Sequence, residues 1–317
     1  MPQRVRPFAD RDYAGFVRLL RRAEGELRSI DDARALDARW DHGRYEKVRV
    51  IAVDEEDAPL GYGEIYHEPS RFDPRRYFLR LGVDRRLRRR GIGAALWDHL
   101  RAELDERAAR VVCLWARDRT ACHAFIARRG FAEVIRAFEQ VLALATARIP
   151  LAGARERAAA AGIGVRTLAE LRATAGESAL HAAHDLHTIS RRDQPTLGLV
   201  TPAPYADWLA YNVTAPEALP DAYFVATDGS RLVGCSSVRR ESEDQLRIGI
   251  TAVLPEYRRR GLGRLLKLEV HDWGRRNGYR EIHTSTTAPN TAMLALNTAL
   301  GYAIVGSWGG YELGLAT

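Results

Sequence analysis

The sequence predicts an α/β protein made of two similar domains, and three observations support this. First, 317 residues exceed the usual size of one domain, and two domains of about 150 residues are the default. Second, β-rich runs alternate with stretches whose apolar residues recur at helical spacing. Third, the turn LRRRGIG of the first half returns in the second half as YRRRGLG, in matching surroundings.

The first copy begins with two β-rich runs in residues 48–67, around an acidic turn with Pro and Gly, which predicts a hairpin. RYFLRLGV predicts a third strand before the arginine-rich turn, and apolar spacing predicts a helix over residues 91–109. A strand in VVCLWA, a short helix ending at Gly130 and a strand in FEQVLALA complete the copy.

The second copy repeats this order. AYFVATDGSRLVGCSSVRR predicts a hairpin with Asp228 and Gly229 in its turn. It is followed by the strand QLRIGITAV, the turn YRRRGLG, an amphipathic helix, the strand REIHTST, a helix ending near Gly301, and a last strand. Landmarks such as Val83 and Val253 keep an offset of 170 to 173 residues along both copies. The chain is therefore predicted to be a tandem duplication.

This repeat predicts an N-terminal domain over residues 1–147, a linker over 148–163 and a C-terminal domain over 164–317. The linker segment is rich in alanine and bounded by Pro150 and Gly164, which indicates a short helix or linker outside both cores.

Composition excludes several classes of protein. The net charge of +7 suggests an anionic partner, but no basic face with aromatic platforms indicates nucleic-acid binding. The cysteines number three and lack metal-type spacing, so neither a disulfide framework nor a zinc site is predicted. The N-terminus has no apolar export segment, and the apolar runs are too short to span a bilayer. We predict a cytoplasmic protein with no metal and no membrane partner.

The repeated turn has the chemistry of an anion site. It lies between a strand and a helix, where the first backbone N–H groups of the helix have no internal partner and the helix dipole favours negative charge. Glycines allow close approach, and arginines add bidentate donors suited to phosphate. A dinucleotide fingerprint does not fit, because Leu96 and Leu266 occupy its third glycine position. The pattern favours a pyrophosphate site; a helix start beneath solvated arginines is the alternative.

In context, the motif R-x-x-G-x-G resembles the acyl-CoA pyrophosphate motif of the GNAT superfamily of N-acyltransferases. The order of strands and helices is similar to that fold in both halves. The resemblance implies two tandem GNAT-type domains, each a mixed, mostly antiparallel sheet flanked by helices. Two such domains in a chain of this size are similar to the general architecture of mycothiol synthase.

The resemblance also implies which residues bind acetyl-CoA as cosubstrate. In the second copy these are Thr251, Ala252, Val253, Arg258, Arg259, Arg260, Gly261, Leu262, Gly263 and Arg264. In the first copy they are Val83, Arg88, Arg89, Arg90, Gly91, Ile92 and Gly93. Asn290 corresponds to the asparagine that contacts the CoA arm, and it is equally placed to cap the helix after Pro289.

Two departures from the family concern catalysis. Many GNAT enzymes have a tyrosine that protonates the leaving thiolate, but Asn297 stands at that position and Ile126 at its counterpart. Asparagine donates a hydrogen bond but supplies no proton at neutral pH. The first copy also lacks the CoA-contacting asparagine. We therefore expect a structural first domain and a catalytic second domain, with Asn297 as the candidate near the thiolate.

The second copy is longer by about ten residues between its first strand and its hairpin, because the earlier landmarks Val5 and Val165 are offset by 160 residues. The acceptor site is expected in this extra length, where GNAT proteins usually shape it. His181, His184 and His187 lie there, but their spacing gives poor geometry for three metal ligands. Asp193 is a candidate to hold a cationic amine; the alternative is a loop carboxylate that caps a turn before Pro195.

The predicted function is transfer of an acetyl (acyl) group from acetyl-CoA to a primary amine of a small molecule. Two alternatives stay open: a non-catalytic CoA-binding or regulatory protein, and a protein or peptide N-acetyltransferase. The expected partner is a small-molecule amine, and the protein is expected to be a monomer or homodimer. The sequence does not identify the acceptor.

Overall fold

The computed structural model describes residues 4–26, 28–118 and 120–316, apart from the side chains of Thr120 and Ala121. The chain forms two compact units. The first contains Met1–Val134 together with Gly310–Thr317, and the second contains Ile135–Gly309. The last residues of the chain therefore belong to the first unit.

The first unit contains the N-terminal strands and helices. They are β1 (Arg4–Pro7), α1 (Tyr13–Glu24), α2 (Ile30–Ala38), β2 (Lys47–Val53), β3 (Pro59–Tyr66), β4 (Arg76–Val83), α3 (Ile92–Glu106), β5 (Val111–Arg117) and α4 (Thr120–Ala127). Strands β1 to β4 are antiparallel neighbours, and β4 pairs with β5 in parallel. The predicted stripe Ile92, Leu96, Leu100 and Leu104 is buried, so α3 packs on the sheet as its apolar spacing requires.

The second unit contains the remaining strands and helices. They are β6 (Ala132–Ala143, which begins in the first unit), α5 (Leu151–Ala160), β7 (Ile163–Thr167), α6 (Leu168–Ala175), α7 (Glu177–Arg192), α8 (Tyr205–Leu209), β8 (Phe224–Asp228), β9 (Arg231–Arg240), β10 (Gln245–Val253), α9 (Leu262–Arg276), β11 (Glu281–Thr287), α10 (Thr291–Ala299) and β12 (Ala303–Gly314, which ends in the first unit).

The sheet of the second unit has the same pattern as that of the first. Strands β7 to β10 are antiparallel neighbours, β10 pairs with β11 in parallel, and β11 pairs with β6 antiparallel. The pairing of β9 with β10 shifts between Ile248 and Ile250, which is a β-bulge at Gly249. The matching pair β3–β4 keeps one register throughout. The predicted mixed, mostly antiparallel α/β fold is confirmed.

The predicted linker forms the helix α5, but it does not lie outside the cores. Leu151, Ala154 and Ala158 are buried in the core of the second unit, and Arg155 makes an ion pair with Glu269 of α9. Alanine side chains are small enough to bring two helices close together, and the composition does not reveal this packing. The compact units therefore differ in extent from the predicted domains. The predicted bounds describe the sequence repeat, and as such they stay a prediction.

The described residues contain no helix with both the length and the apolar character needed to cross a membrane.

Candidate functional site

The arginine-rich turn has the same backbone in both copies. Arg89 and Arg259 have positive φ angles of 65° and 61°, and Gly91 and Gly261, which precede α3 and α9, have φ of 83° and 80°. A Cβ atom at Gly261 would meet no other atom within 4 Å, so this side of the turn is open. The first hydrogen bond of α9 runs from the N–H of Leu265 to Gly261. The N–H groups before it are therefore free of helical bonding and can receive an anion.

The first arginine of the motif also has a structural role. Arg258 Nε donates to the carbonyl oxygen of Val253 at 2.9 Å, and Arg88 Nε donates to that of Val83 at 3.3 Å. In both copies this bond connects the end of the strand to the start of the turn. The motif predicts that these arginines bind the pyrophosphate. In the structure, one donor of each arginine also stabilises the loop by bonding to the strand end.

The other predicted cradle residues of the second copy occupy different positions. Arg259 and Arg260 are exposed, and Arg260 Nη2 donates to the carbonyl of Glu256 at 2.8 Å. Leu262 is buried in the core, whereas Arg264 is half-buried. In the first copy, Arg89, Arg90 and Gly91 are exposed, Arg88, Val83 and Gly93 are half-buried, and Ile92 is buried.

A gap between two parallel strands lies next to the turn. β10 and β11 pair only over Gln245–Arg247 and Glu281–His283, although they extend to Val253 and Thr287. Their carboxyl ends therefore separate beside the start of α9. An extended ligand whose phosphates lie on the turn can pass between them. Ala252 and Val253 are half-buried at this end of β10.

The interior of the second unit is polar at positions that are apolar in the first. Residues at the same place in the two copies pair as Ser236 with Gly63, Thr251 with Leu81, Lys267 with Trp97, Thr284 with Leu114, Thr286 with Ala116, Asn297 with Ile126 and Tyr302 with Phe131. All seven residues of the second unit are buried. Buried polar groups reduce stability unless they are bonded, so this contrast indicates a use beyond packing.

Asn297 belongs to this polar interior. Its Nδ2 donates to Gln140 Oε1 at 2.9 Å and to Thr286 Oγ1 at 3.2 Å. Asn297 Oδ1 and Gln140 Nε2 are buried and have no hydrogen-bond partner among the described residues. One acceptor and one donor of a bonded amide pair thus stay available to a polar group. The side chain can orient such a group, but it cannot supply a proton.

Lys267, His271 and Tyr302 form a second polar group in this interior. Lys267 is 1% exposed, and its Nζ lies 5.1 Å from the centre of the Tyr302 ring. His271 Nε2 lies 2.9 Å from the Tyr302 hydroxyl. Burial lowers the pKa of Lys267 to about 7 and that of His271 to about 3, because the charged forms lose solvation. In the first copy, Trp97 packs edge-on against Phe131 instead.

The first unit places charges on the face of its sheet that lies opposite α3. Arg49 Nε contacts Glu64 at 2.8 Å and Arg49 Nη1 contacts Asp37 at 2.6 Å, while Arg80 Nη2 contacts Glu24 of α1 at 2.6 Å. Glu64 is 5% exposed, and the charge of Arg49 holds its pKa below the usual value even though burial alone would raise it. These three ion pairs lie on the same face of the sheet.

The positions of the second unit that match Glu64 and Arg80 are uncharged. Ser237 and Ile250 occupy the positions of Glu64 and Arg80 in the strand pairing. Ser237 Oγ accepts a hydrogen bond from the Ile250 N–H at 3.1 Å, next to the bulge. Uncharged residues therefore stand where the first copy has the charged Glu64 and Arg80.

The histidines of α7 pack against aromatic residues. His181 stacks on Tyr205 with 4.0 Å between ring centres, and His184 Nε2 lies 2.9 Å from the Ala203 carbonyl. Burial lowers the pKa of His187 to about 4, so its ring is neutral at pH 7. Among the described residues, no group of three or more His, Cys, Asp or Glu could hold a metal ion.

Asp193 and Asn290 both have partners in the structure. The Asp193 carboxylate accepts a hydrogen bond from Arg258 Nη2 at 2.5 Å, so the candidate acceptor residue contacts the predicted cofactor cradle. Asn290 Oδ1 accepts a hydrogen bond from the Met293 N–H at 3.3 Å. The helix-cap role of Asn290 is confirmed, and its contact with CoA stays a prediction.

Sequence reasoning did not single out Gln140, Thr284 or Thr286. The signal was present in REIHTST, where threonines alternate along a strand and the matching strand has Leu114 and Ala116. Comparing the copies position by position, rather than by shared motif, would have found it.

Comparison with known proteins agrees with this geometry. The family model described as "Acetyltransferase (GNAT) family" matches residues 13–131 and 183–302. No curated protein matches the chain. Among solved structures, a tandem GNAT protein from the clavulanic acid biosynthesis pathway has a TM-score of 0.74 and 18% identity, with 100% of this chain and 99% of the other covered. A GCN5-related N-acetyltransferase from Sphaerobacter thermophilus has a TM-score of 0.70 and 18% identity, with 98% and 95% covered.

These two structures support the same fold over the whole chain, and each family match falls on one copy of the repeat. The predicted tandem arrangement and acyltransferase class are thereby confirmed. This chain belongs to the acetyltransferase (GNAT) family and carries two domains of that family in tandem.

Proposed function

We propose that the protein transfers an acetyl group from acetyl-CoA to a primary amine of a small molecule, and that the second copy performs the reaction. The observation that carries this assignment is that seven buried positions are polar in the second copy and apolar in the first. Retaining buried polar groups is costly, so polar residues at positions where the other copy is apolar support a ligand in the second copy.

The turn would hold the pyrophosphate of acetyl-CoA. The N–H groups of Leu262, Gly263 and Arg264 precede the first hydrogen bond of α9, and Arg259, two residues before Gly261, is exposed. The pantetheine arm would lie in the gap between β10 and β11. Its amide groups would meet the hydroxyl and amide side chains of the polar interior.

The reaction requires a neutral amine. Its nitrogen attacks the thioester carbonyl carbon, a C–N bond forms, and the C–S bond breaks. The nitrogen loses one proton and the thiolate gains one. The backbone near Val253 would polarise the carbonyl, and Asn297 would orient a polar group by hydrogen bonding. Catalysis would therefore depend mainly on position, with water as the carrier of protons.

The first copy is proposed to be structural. A Cβ atom at Gly93 would lie 3.3 Å from the Phe125 ring, and Arg129 covers that ring at 3.6 Å from its centre. A Cβ atom at Gly263 in the second copy would lie 3.7 Å from the Leu296 side chain, so the space beside this glycine is slightly wider. The first copy also has the charged Glu64 and Arg80 where the second copy has Ser237 and Ile250.

Calorimetric titration with acetyl-CoA tests the assignment. We expect Gly261→Glu to abolish binding, because a carboxylate would occupy the phosphate position, and Gly91→Glu to bind like the wild type. Gly261→Ala and Gly91→Ala are the controls, since they introduce the same strain at positive φ without charge. Equal loss in both Glu variants would contradict a single site in the second copy, and no binding to the wild type would remove the proposed function.

Release of free thiol from acetyl-CoA separates the remaining candidates. Release in the presence of small primary amines is the expected result. Binding without release across a broad amine panel would favour a non-catalytic CoA-binding protein. Release with lysine-containing peptides but not with millimolar free amines would favour a protein or peptide acceptor.

A further inference from the structure

The loop after α7 is attached to both strands that border the proposed path of the CoA arm. Asp193, at the end of α7, binds Arg258, which follows β10. Two residues later, the carbonyl of Pro195 accepts a hydrogen bond from Thr287 Oγ1 at 3.1 Å, at the end of β11. The loop thus crosses the gap where the paired segments of β10 and β11 have ended.

The guanidinium of Arg258 makes two hydrogen bonds, one to the backbone and one to a carboxylate. Its Nε is bonded to the Val253 carbonyl, which keeps the side chain beside the turn, and its Nη2 is bonded to Asp193. The Arg258 and Asp193 side chains are 47% and 50% exposed. An ion pair this exposed contributes little to stability. A pyrophosphate carries more negative charge than a carboxylate, and the helix N-terminus also binds it. It can therefore replace the Asp193 carboxylate as the hydrogen-bond acceptor of Arg258 Nη2.

This inference rests on the proposed function. We propose that acyl-CoA binding transfers Arg258 from Asp193 to the pyrophosphate, and that the freed Asp193 carboxylate then binds a cationic group of the acceptor. CoA would bind first, and the acceptor site would be complete only afterwards. In the first copy, Arg88 Nη2 bonds to the carbonyl of Ala23, which is not a charged group and cannot act in this way.

The chemistry also limits the acceptor. The attacking nitrogen must be neutral, but a carboxylate beside an amine favours the protonated form. Asp193 therefore suits a second amino group of the substrate rather than the reacting one. The substrate class is a small molecule with at least two amino groups, and a diamine is its simplest member.

Binding measurements test this without any turnover. CoA, which has no acyl group to transfer, is titrated into the wild type, Asp193→Asn and Asp185→Asn. Asp185 is on α7 and its side chain is 78% exposed, so it serves as the matched control. We expect Asp193→Asn to bind CoA about two- to fivefold more tightly than the wild type, because the competitor of the pyrophosphate is gone. Asp185→Asn should bind like the wild type.

In the second arm, 1,5-diaminopentane and 1-aminopentane are titrated into free and CoA-saturated protein. The diamine should bind the CoA-saturated wild type several-fold more tightly than the free protein, and Asp193→Asn should lose this difference. Equal affinity of Asp193→Asn and wild type for CoA would overturn the proposal, as would equal binding of the two amines. Failure of the wild type to bind CoA would instead remove the proposed function itself.

Discussion

Lys267 is one of only two lysines in the chain, and it lies in the interior of the second unit with a pKa lowered to about 7. In an unfolded chain its pKa returns to about 10.4. Between these values the unfolded chain binds more protons, so the free energy of unfolding rises with pH from about 7 to 10.4. Below pH 7 both states are protonated and the full cost of the buried charge is present.

We expect Lys267→Met to raise the free energy of unfolding at pH 7, by an amount on the order of 4 kcal/mol, because it removes that cost and keeps a long side chain. Urea unfolding at several pH values measures it. The variant should also lose the rise in stability between pH 7 and 10.4.

Lys47→Met is the matched control. Lys47 is paired with Asp37 at 2.5 Å, so its removal should lower stability. A Lys267→Met variant less stable than the wild type at pH 7 would show that the amine has a stabilising partner.

The burial of Lys267 could not be predicted from the sequence. The apolar spacing of α9 indicates one buried face, and a lysine beside that face is usually solvated. In the structure, α9 is also covered by α5, and Lys267 points toward Tyr302. Contacts between distant segments determine this burial, and periodicity carries no information about them.

At the scale of elements, α5 is held against α9 by a charged contact as well as by alanines. Arg155 Nε and Nη2 bind the two carboxylate oxygens of Glu269 at 2.7 and 2.6 Å, and the Glu269 side chain is only 1% exposed. Removing Arg155 would leave this carboxylate buried without its partner.

We expect Arg155→Ala to lower the free energy of unfolding by about 2–4 kcal/mol, measured by urea titration. The double variant Arg155→Ala/Glu269→Gln should recover part of this loss, because the neutral amide costs less to bury than the carboxylate. If the single variant is as stable as the wild type, α5 is held by apolar packing alone.

The local elements of the fold could be predicted from the sequence where a short-range signal exists. The Asp228-Gly229 turn, the stripe of α3 and the paired arginine-rich turns each depend on neighbouring residues. The bond of Asp193 to Arg258 joins positions far apart in the chain and has no local signal. The arginine-rich turn was therefore predictable as a motif, whereas its link to the loop after α7 was not.

At the scale of the whole molecule, the first unit depends on the end of the chain. Tyr311 and Leu315 are buried in its core, and Glu312 is paired with Arg76 at 2.6 Å. The bond from the N–H of Leu315 to the carbonyl of Arg110 adds a backbone contact. The predicted domain of residues 1–147 lacks Tyr311, Glu312 and Leu315 and therefore all of these contacts.

We expect a fragment of residues 1–147 to be largely unfolded, because its core lacks these side chains. The same fragment with residues 308–317 joined by a flexible Gly/Ser linker should fold cooperatively. Circular dichroism and thermal unfolding measure both. A cooperative transition of equal midpoint in the two fragments would show that the final residues are dispensable for the first unit.

Because the last residues of the chain belong to the first unit, they also affect the order in which the two units are completed during synthesis. Residues 310–317 emerge only after the 175 residues of the second unit, 135–309, have been made. At about 5–20 residues per second, this takes roughly 10 to 35 seconds. Throughout this interval the nascent first unit lacks Tyr311 and Leu315 of its core, and the edge of β5 that pairs with β12 stays open. An open strand edge is the kind of surface on which other chains add. The first half of the protein to be made is thus the last to be completed, and until then its open strand edge is accessible to other chains.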